Sequence, residues 1–455
     1  MKHYARHLEV LDQRWQVALE FAGLDAAVVA AGAPREYFLD DLHVPFRTNP
    51  HFAQWYPDAD CAHAALLIRP GQRPKLLFHQ PRDYWHQPPA VPDWAAQHMD
   101  VEVHGDLEAL ERAIEAAMAS SNRTAFVGEH GPEDATISIN PALLLSQLHY
   151  HRAYKTEFEI DCMARANQRA AAGHLAAGQA FRDGMSEFDI LVRYVAAARQ
   201  TVEELPYHSI IAQNRHAGVL HYQHYDREPP RPLLSFLIDA GASANGYAAD
   251  VTRTYAAAAP ATGAFAELIE AMDAAQRKII DGIRPGINYV EVHESAHRLV
   301  GAVLAEHGIA RCSAETAFES GLTRTFLPHG VGHLIGLQTH DVGGQQVSPE
   351  GGLRPPPEAY PALRLTRPVE PAQVFTIEPG LYFIPMLLEE AKAAPYGRLV
   401  DWNRVERLAP CGGIRIEDNV VVTKSGVRNL TREAFAASAR SAGSLAASGA
   451  GADHG

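Results

Sequence analysis

The sequence predicts a two-domain protein of mixed α/β (α+β) class. Three observations carry that expectation. A chain of 455 residues is long for one hydrophobic core. Strand-like and helix-like segments alternate over roughly the first third of the chain, as in a compact α/β domain. Beyond them, helical patterns give way from Leu322 to short strands and turns rich in Gly and Pro.

Taken in order, Leu8, Leu11, Trp15, Ala18, Leu19 and Ala22 recur at helical spacing and stop at Gly23, which predicts a helix over 8–23. Residues 26–31 read as a strand. Segments 64–68 and 76–79 flank Pro70-Gly-Gln-Arg-Pro74, a hairpin turn by composition. A helix is expected over 107–119 and a strand over 124–128. The expected division is an N-terminal α/β domain over 1–152, a second domain over 153–434, and an Ala/Ser/Gly-rich tail over 435–455 that cannot bury a core and is expected to be disordered. The second domain opens on Thr156-Glu-Phe-Glu159, a capping box ahead of Ile160, Met163, Ala164 and Asn167. Gly184 breaks that helix, and Ser186 caps the next, over 187–199. Strands are expected over 209–212 and 233–239, and helices over 265–281 and 289–307.

The net charge of -14 argues against a nucleic-acid or anionic-membrane partner. Cys61, Cys162, Cys312 and Cys411 have no paired spacing, so neither a zinc ribbon nor a disulfide framework is expected, and a cytoplasmic location fits. The charged N-terminus has no apolar core for a signal peptide, and no window suggests a membrane span. The N-terminal stretch shows no glycine-rich phosphate loop and no nucleophile elbow.

Chemistry concentrates in four stretches. In 235–255, Phe236–Ile238 delivers Asp239, Asn245-Gly246 turns the chain, and a second run delivers Asp250 between Ala249 and Val251, expected mid-strand. Buried carboxylates there cost several kcal/mol unless paired or metal-bound. Strand capping, or pairing with an arginine such as Arg253, is the competing reading. The stretch 328–344 packs His329, His333 and His340 among five glycines. An apolar run ends at Glu378 before Pro379-Gly380; a solvated strand end is the alternative. Arg415 and Glu417 alternate with Ile414 and Ile416 on one strand face, where a surface ion pair is the alternative. Together, four carboxylates and a histidine suit two divalent cations, since about four negative charges meet four positive ones, and the reaction class implied is metal-assisted hydrolysis.

In this order and spacing the motifs resemble the pita-bread metallopeptidases, and within them the bacterial Xaa-Pro dipeptidases (prolidases), including the organophosphorus acid anhydrolases. The resemblance runs to about Arg432 and includes Phe38-Leu-Asp-Asp41, Pro45-Phe-Arg-Thr-Asn-Pro50, Asp83-Tyr-Trp-His86, His149-Tyr-His-Arg-Ala-Tyr-Lys155 and Val219-Leu-His221-Tyr. It implies a creatinase-like N-terminal domain and a pita-bread catalytic domain. Asp239, Asp250, His333, Glu378 and Glu417 are then the ligands of two divalent ions, manganese first, with cobalt or zinc also suited. Asp250 and Glu417 bridge them, and His333 matches the ligand histidine because it stands seven residues before His340. Glu378 also shuttles a proton. His221 and His340 surround the substrate carbonyl, Arg364 holds the dipeptide's free carboxylate with Arg367 nearby, and His329 and Arg415 line the pocket. Asp41 matches a position that reaches a partner subunit, which implies a homodimer; Trp85 is either a pocket wall or a core or interface tryptophan. The activity implied is Xaa-Pro dipeptide cleavage, with promiscuous phosphotriester hydrolysis. The alternatives are an aminopeptidase P acting on longer Xaa-Pro peptides, or an inactive binding scaffold.

Overall fold

A computed structural model describes residues 2–131 and 137–449. The chain divides into two units, Met1–Glu159 with Gln346–Leu353, and Ile160–Gln345 with Arg354–Gly455.

In the first unit, the expected hairpin and strands join one six-stranded sheet. Its strands are β1 (Ala26–Ala30), β2 (Ala65–Ile68), β3 (Lys75–His79), β4 (Asp100–His104), β5 (Thr124–Val127) and β6 (Ser138–Ile139), in the order β4-β3-β2-β1-β5-β6. The turn at 70–74 joins β2 and β3 as an antiparallel pair, whereas β1–β5 and β3–β4 are parallel. Apolar residues fill both sheet faces because alternate strand positions point opposite ways. Val29, Leu66 and Phe78 meet Trp15 of helix Tyr4–Phe21 on one side, and Val28, Leu67 and Leu77 meet Leu110 of helix Leu107–Met118 on the other. The first helix starts before the expected residue 8 because Tyr4 and His7 are also buried, and the polar His7 hid that inward position.

The capping box forms as read. The Thr156 amide donates to Glu159 Oε2 at 2.7 Å, and the Glu159 amide to Thr156 Oγ1 at 3.4 Å. Helix Glu157–Arg182 follows, and Ser186 Oγ accepts from the Asp189 amide to cap helix Glu187–Ala198.

In the second unit, β8 (Ser235–Asp239), β9 (Ser243–Ala244), β10 (Tyr247–Ala248) and β11 (Thr252–Ala256) build two nested hairpins, and β7 (Ile210–Gln213) pairs with β8 on its other edge. The inner pair, β9–β10, closes on Asn245 and Gly246 with φ of 52° and 78°. Both lie in the left-handed region, which explains the Asn-Gly turn. The outer pair β8–β11 sets Thr252 opposite Asp239. Next come helices Gly263–Gly282 and Tyr289–Glu306, close to expectation.

The hairpin of β12 (Gln346–Ser348) and β13 (Gly351–Leu353) groups with the first unit, where Gln346 Nε2 donates to the carbonyl and hydroxyl of Ser146. The second unit resumes with β14 (Val374–Ile377), β15 (Gly380–Tyr382), β16 (Gly413–Arg415), β17 (Asp418–Val422) and β18 (Val427–Asn429). β14 pairs with β17, β17 with β18, and β15 with β16. Helices Pro385–Ala393 and Trp402–Leu408 interrupt what the sequence suggested was mainly strands and turns. The stretch 435–455, expected to lack structure, is helical as far as Gly449, within helix Leu430–Gly449. Its alanines form helix readily. Residues 450–455 lie outside the described residues.

Candidate metal centre

The candidate carboxylates sit where strand ladders stop. Asp239 is the last residue of β8. Asp250 lies in the gap between β10 and β11, not mid-strand as expected, because the inner and outer hairpins pair with different partners. Glu378 follows β14, and Glu417 lies between β16 and β17. Off the ladder, their backbones are tied across the fold instead. The Glu378 amide donates to the Val331 carbonyl at 2.9 Å, and the Glu417 amide to the Thr252 carbonyl at 3.1 Å. Asn419 takes both main-chain groups of Asp250.

These breaks gather the side chains. His333 Nε2 lies 3.5 Å from both Asp250 Oδ2 and Glu378 Oε1. Asp250, His333 and Glu417 each offer a ligand atom within 4.8 Å of the others, and all three are buried. The Tyr207 hydroxyl spans the two hairpin carboxylates, 2.7 Å from Asp239 Oδ1 and 2.5 Å from Asp250 Oδ1. Arg415 donates to Asp239 Oδ2 at 2.7 Å, to the Tyr382 hydroxyl at 2.8 Å and to Thr252 Oγ1 at 3.2 Å. Thr252 Oγ1 in turn donates to Glu417 Oε2 at 2.7 Å. Pairing with Arg253 and a surface Arg415–Glu417 pair both fail on these contacts, although Asp239 does end its strand and pair with an arginine, Arg415. Arg253 pairs with Asp418 at 2.7 Å. Arg415 and Glu417 are 5% and 2% exposed, so they form no surface pair.

Burial pushes Glu417 well above the usual carboxylate range, and the charges of Asp250, Glu378 and Asp239 add to the push. Burial also carries Glu378 up to about 7 against the opposing charge of His333. Asp239 is raised by burial, with Arg415 offsetting part of it. Asp250 is also buried, but its hydrogen bond to His333 and the His333 charge hold it below the usual range. His333 is buried too, yet Asp250 and Glu378 hold its proton more firmly than usual. Fully ionised, the four carboxylates would carry more negative charge than Arg415 and His333 offset, and three of them accordingly hold a proton more firmly than usual in their buried setting. Oxygen-rich donors with one imidazole and a surplus of negative charge fit divalent cations.

Around this cluster stand the expected substrate residues. The His340 ring lies 4.4 Å from that of His333 at 86°, and burial, then His333 and Arg364, push it down to about 4. His329 bonds the Tyr382 hydroxyl at 2.8 Å and is pushed down to about 3 by burial and Arg415. His221 is exposed, and its charge acts on both His329 and His340. Arg364 is exposed and its charge reaches His340. Arg367 is buried, with contacts to Glu370 and the Gly343 carbonyl. Asp41 and Trp85 are exposed and belong to the first unit.

Residues 161–424 match the profile of Metallopeptidase family M24. The chain belongs to that family. Residues 2–150 match the profile "Xaa-Pro dipeptidase, N-terminal domain". The Xaa-Pro dipeptidase of Stenotrophomonas maltophilia (strain K279a) is 45% identical over 438 residues, 95% of this chain and 97% of its own length. That of Xanthomonas campestris pv. campestris (strain B100) is 46% identical over 436 residues, 95% and 98% of the two chains. Among solved structures, Pseudomonas aeruginosa aminopeptidase PepP matches with a TM-score of 0.69 at 23% identity, over 96% of this chain and 98% of that one. Proline aminopeptidase P II from Yersinia pestis matches with a TM-score of 0.68 at 24% identity, over 93% and 96%. The fold is therefore a creatinase-like N-terminal domain followed by an M24 pita-bread domain, and the protein is a metallopeptidase.

Within this M24 domain, residues unnoticed in the sequence supply the hydrogen bonds that hold the cluster: Tyr207, Thr252, Thr376, Tyr382 and Asn419. Thr252 stands two residues after Asp250, and Thr376 two before Glu378. Period-two spacing could have placed each on its neighbour's face. Asn419, two after Glu417, carries the same spacing, whereas Tyr207 carries no such local signal.

Proposed function

We propose that this M24 metallopeptidase cleaves Xaa-Pro dipeptides. The observation that carries the reading is the buried convergence of Asp250, His333 and Glu417, in a chain whose relatives named Xaa-Pro dipeptidase match it over 95% of its length. Asp239, Asp250, His333, Glu378 and Glu417 would hold two divalent ions, manganese being favoured by the oxygen-rich donors. Such ions, when bound, polarise a carbonyl and lower the pKa of water.

The chain's own residues do the rest. Glu378, carried by burial to about 7, takes a proton on its carboxylate and delivers it to the proline nitrogen, a secondary-amine leaving group. His340, pushed down to about 4, is neutral near pH 7 and donates an N–H to the developing oxyanion, with His221 as the second candidate donor. Arg415 and His329 meet at the Tyr382 hydroxyl, which holds the wall beside Asp239 and Glu378. Exposed Arg364 binds the dipeptide carboxylate and so selects against longer chains.

A homodimer is supported by the strong exposure of Phe38 and Leu39, which adjoin Asp41 in sequence, and of Tyr84 and Trp85 elsewhere in the first unit. A cytoplasmic setting is supported by the free thiols of Cys61, Cys312 and Cys411. The test compares manganese-dependent hydrolysis of Ala-Pro and Ala-Pro-Ala. Preference for the dipeptide is expected, whereas preference for the tripeptide would transfer the assignment to an aminopeptidase P. Phosphotriester hydrolysis is proposed as a side activity, tested with paraoxon under the same conditions.

A further inference from the structure

We infer that Glu187 is a positioning residue for His221. It sits in the first turn of helix Glu187–Ala198 and is fully buried. Its carboxylate collects four donors from the segment 213–226, which runs from the end of β7 into the loop beyond it. Oε1 accepts from the Gln213 amide at 2.8 Å and from His216 Nδ1 at 2.8 Å. Oε2 accepts from the Tyr222 hydroxyl at 2.9 Å and from the Asp226 amide at 2.9 Å. The His216 and Tyr222 rings stack at 4.4 Å. His221 stands between these anchors, next to buried Tyr222, and is itself exposed with its charge acting on His329 and His340. One buried side chain thus pins both ends of the segment that presents His221.

Glu187, His216 and Asp226 also have ligand atoms within 4.8 Å of one another, the spacing of a cation site. The hydrogen bonds decide against that use. Both Glu187 oxygens are already filled, two of the donors are main-chain amides, and a cation would have to displace them. Charge-assisted bonds to a buried carboxylate are strong and fix geometry. A displacement of about 1 Å at a reacting group can cost on the order of 100-fold in rate.

The inference rests on the dipeptidase reading and is tested in the full chain loaded with manganese. Wild type, Glu187→Gln, His221→Ala and the double variant are compared on Ala-Pro. Glu187→Gln keeps the shape but halves the accepting capacity. Roughly 10- to 100-fold loss of kcat is expected, with bound manganese unchanged and little further loss when His221 is already alanine. An equal factor in both backgrounds, or loss of manganese, would overturn the inference. Tyr222→Phe removes one donor and should reproduce a smaller version of the same pattern; it replaces Glu187→Gln in the cycle if that variant fails to fold. Amide hydrogen exchange over 213–226 gives a readout independent of turnover. Faster exchange confined to that segment supports the inference and unchanged exchange overturns it, even if the wild type cleaved no Xaa-Pro dipeptide and the functional reading fell.

Discussion

Asn419 holds Asp250 by both of its main-chain groups. The Asp250 amide donates to Asn419 Oδ1 at 3.0 Å, and Asn419 Nδ2 donates to the Asp250 carbonyl at 2.6 Å. The asparagine is held in turn by Asn167 and Thr431, which bond each other at 2.6 Å, and all three are fully buried. A side-chain amide thus replaces the strand partner that Asp250 lacks in the gap between β10 and β11.

Replacing Asn419 by Ala should therefore act on metal binding. Two buried main-chain groups lose their partners, each worth about 1–3 kcal/mol. Manganese affinity is expected to fall roughly 10- to 100-fold, as for residues that orient metal ligands. Isothermal titration with manganese checks it; unchanged affinity would show that Asp250 needs no such support.

The two hairpin aspartates should behave unequally. Asp250 lies against His333 and close to Glu417, whereas Asp239 is engaged by Arg415; Tyr207 bonds both. Asp250→Asn is expected to cost both ions and Asp239→Asn chiefly one. Metal analysis after dialysis decides, and equal losses would remove the division of labour.

Arg364 and Arg367 should separate cleanly. Arg364→Ala should raise KM for Ala-Pro roughly 10- to 100-fold with little change in kcat, because it removes a charge-assisted contact to substrate. Arg367→Ala should instead lower thermal stability, since Arg367 is 3% exposed and contacts Glu370 and the Gly343 carbonyl. The reverse pattern would exchange their roles.

The capping box should make stability depend on acid. Burial pushes the Glu159 carboxyl up, but the charges of His7, Lys155 and Arg14 and the Thr156 amide outweigh it and hold it below the usual range. Its folded pKa is thus depressed. The stabilisation is present in full above the unfolded value of about 4.3 and drains away as pH falls towards the folded one. Glu159→Gln keeps an N-cap acceptor but no charge. Its deficit in melting temperature relative to wild type should be clear at pH 6 and shrink on acidification below pH 4. A deficit independent of pH would refute the linkage.

What could be read along the chain was what short-range chemistry dictates. Asn245-Gly246 turns the chain because only such residues accept two successive positive φ values. Thr156 and Glu159 cap a helix because each reaches the other's amide. Pro385 at the first position of one helix and Asp401 at the N-cap of another were available signals of the same kind that went unread. The ligand candidates were legible because charges in apolar runs are costly, and because their order resembled a known family.

Tertiary structure decided the rest, because it joins residues that no local rule relates. Arg364 and Arg367 look interchangeable in Leu363-Arg-Leu-Thr-Arg367 until folding leaves one exposed and buries the other. Asp239 is paired by Arg415, 176 residues away, and Asp250 is held by Asn419, 169 residues away. The sequence alone determined which side chains could serve a cation; only the packing of the second unit's hairpins and strands determined which of them share one low-dielectric space. There their charges act on one another strongly, and that coupling makes the cluster a metal centre candidate rather than scattered acids.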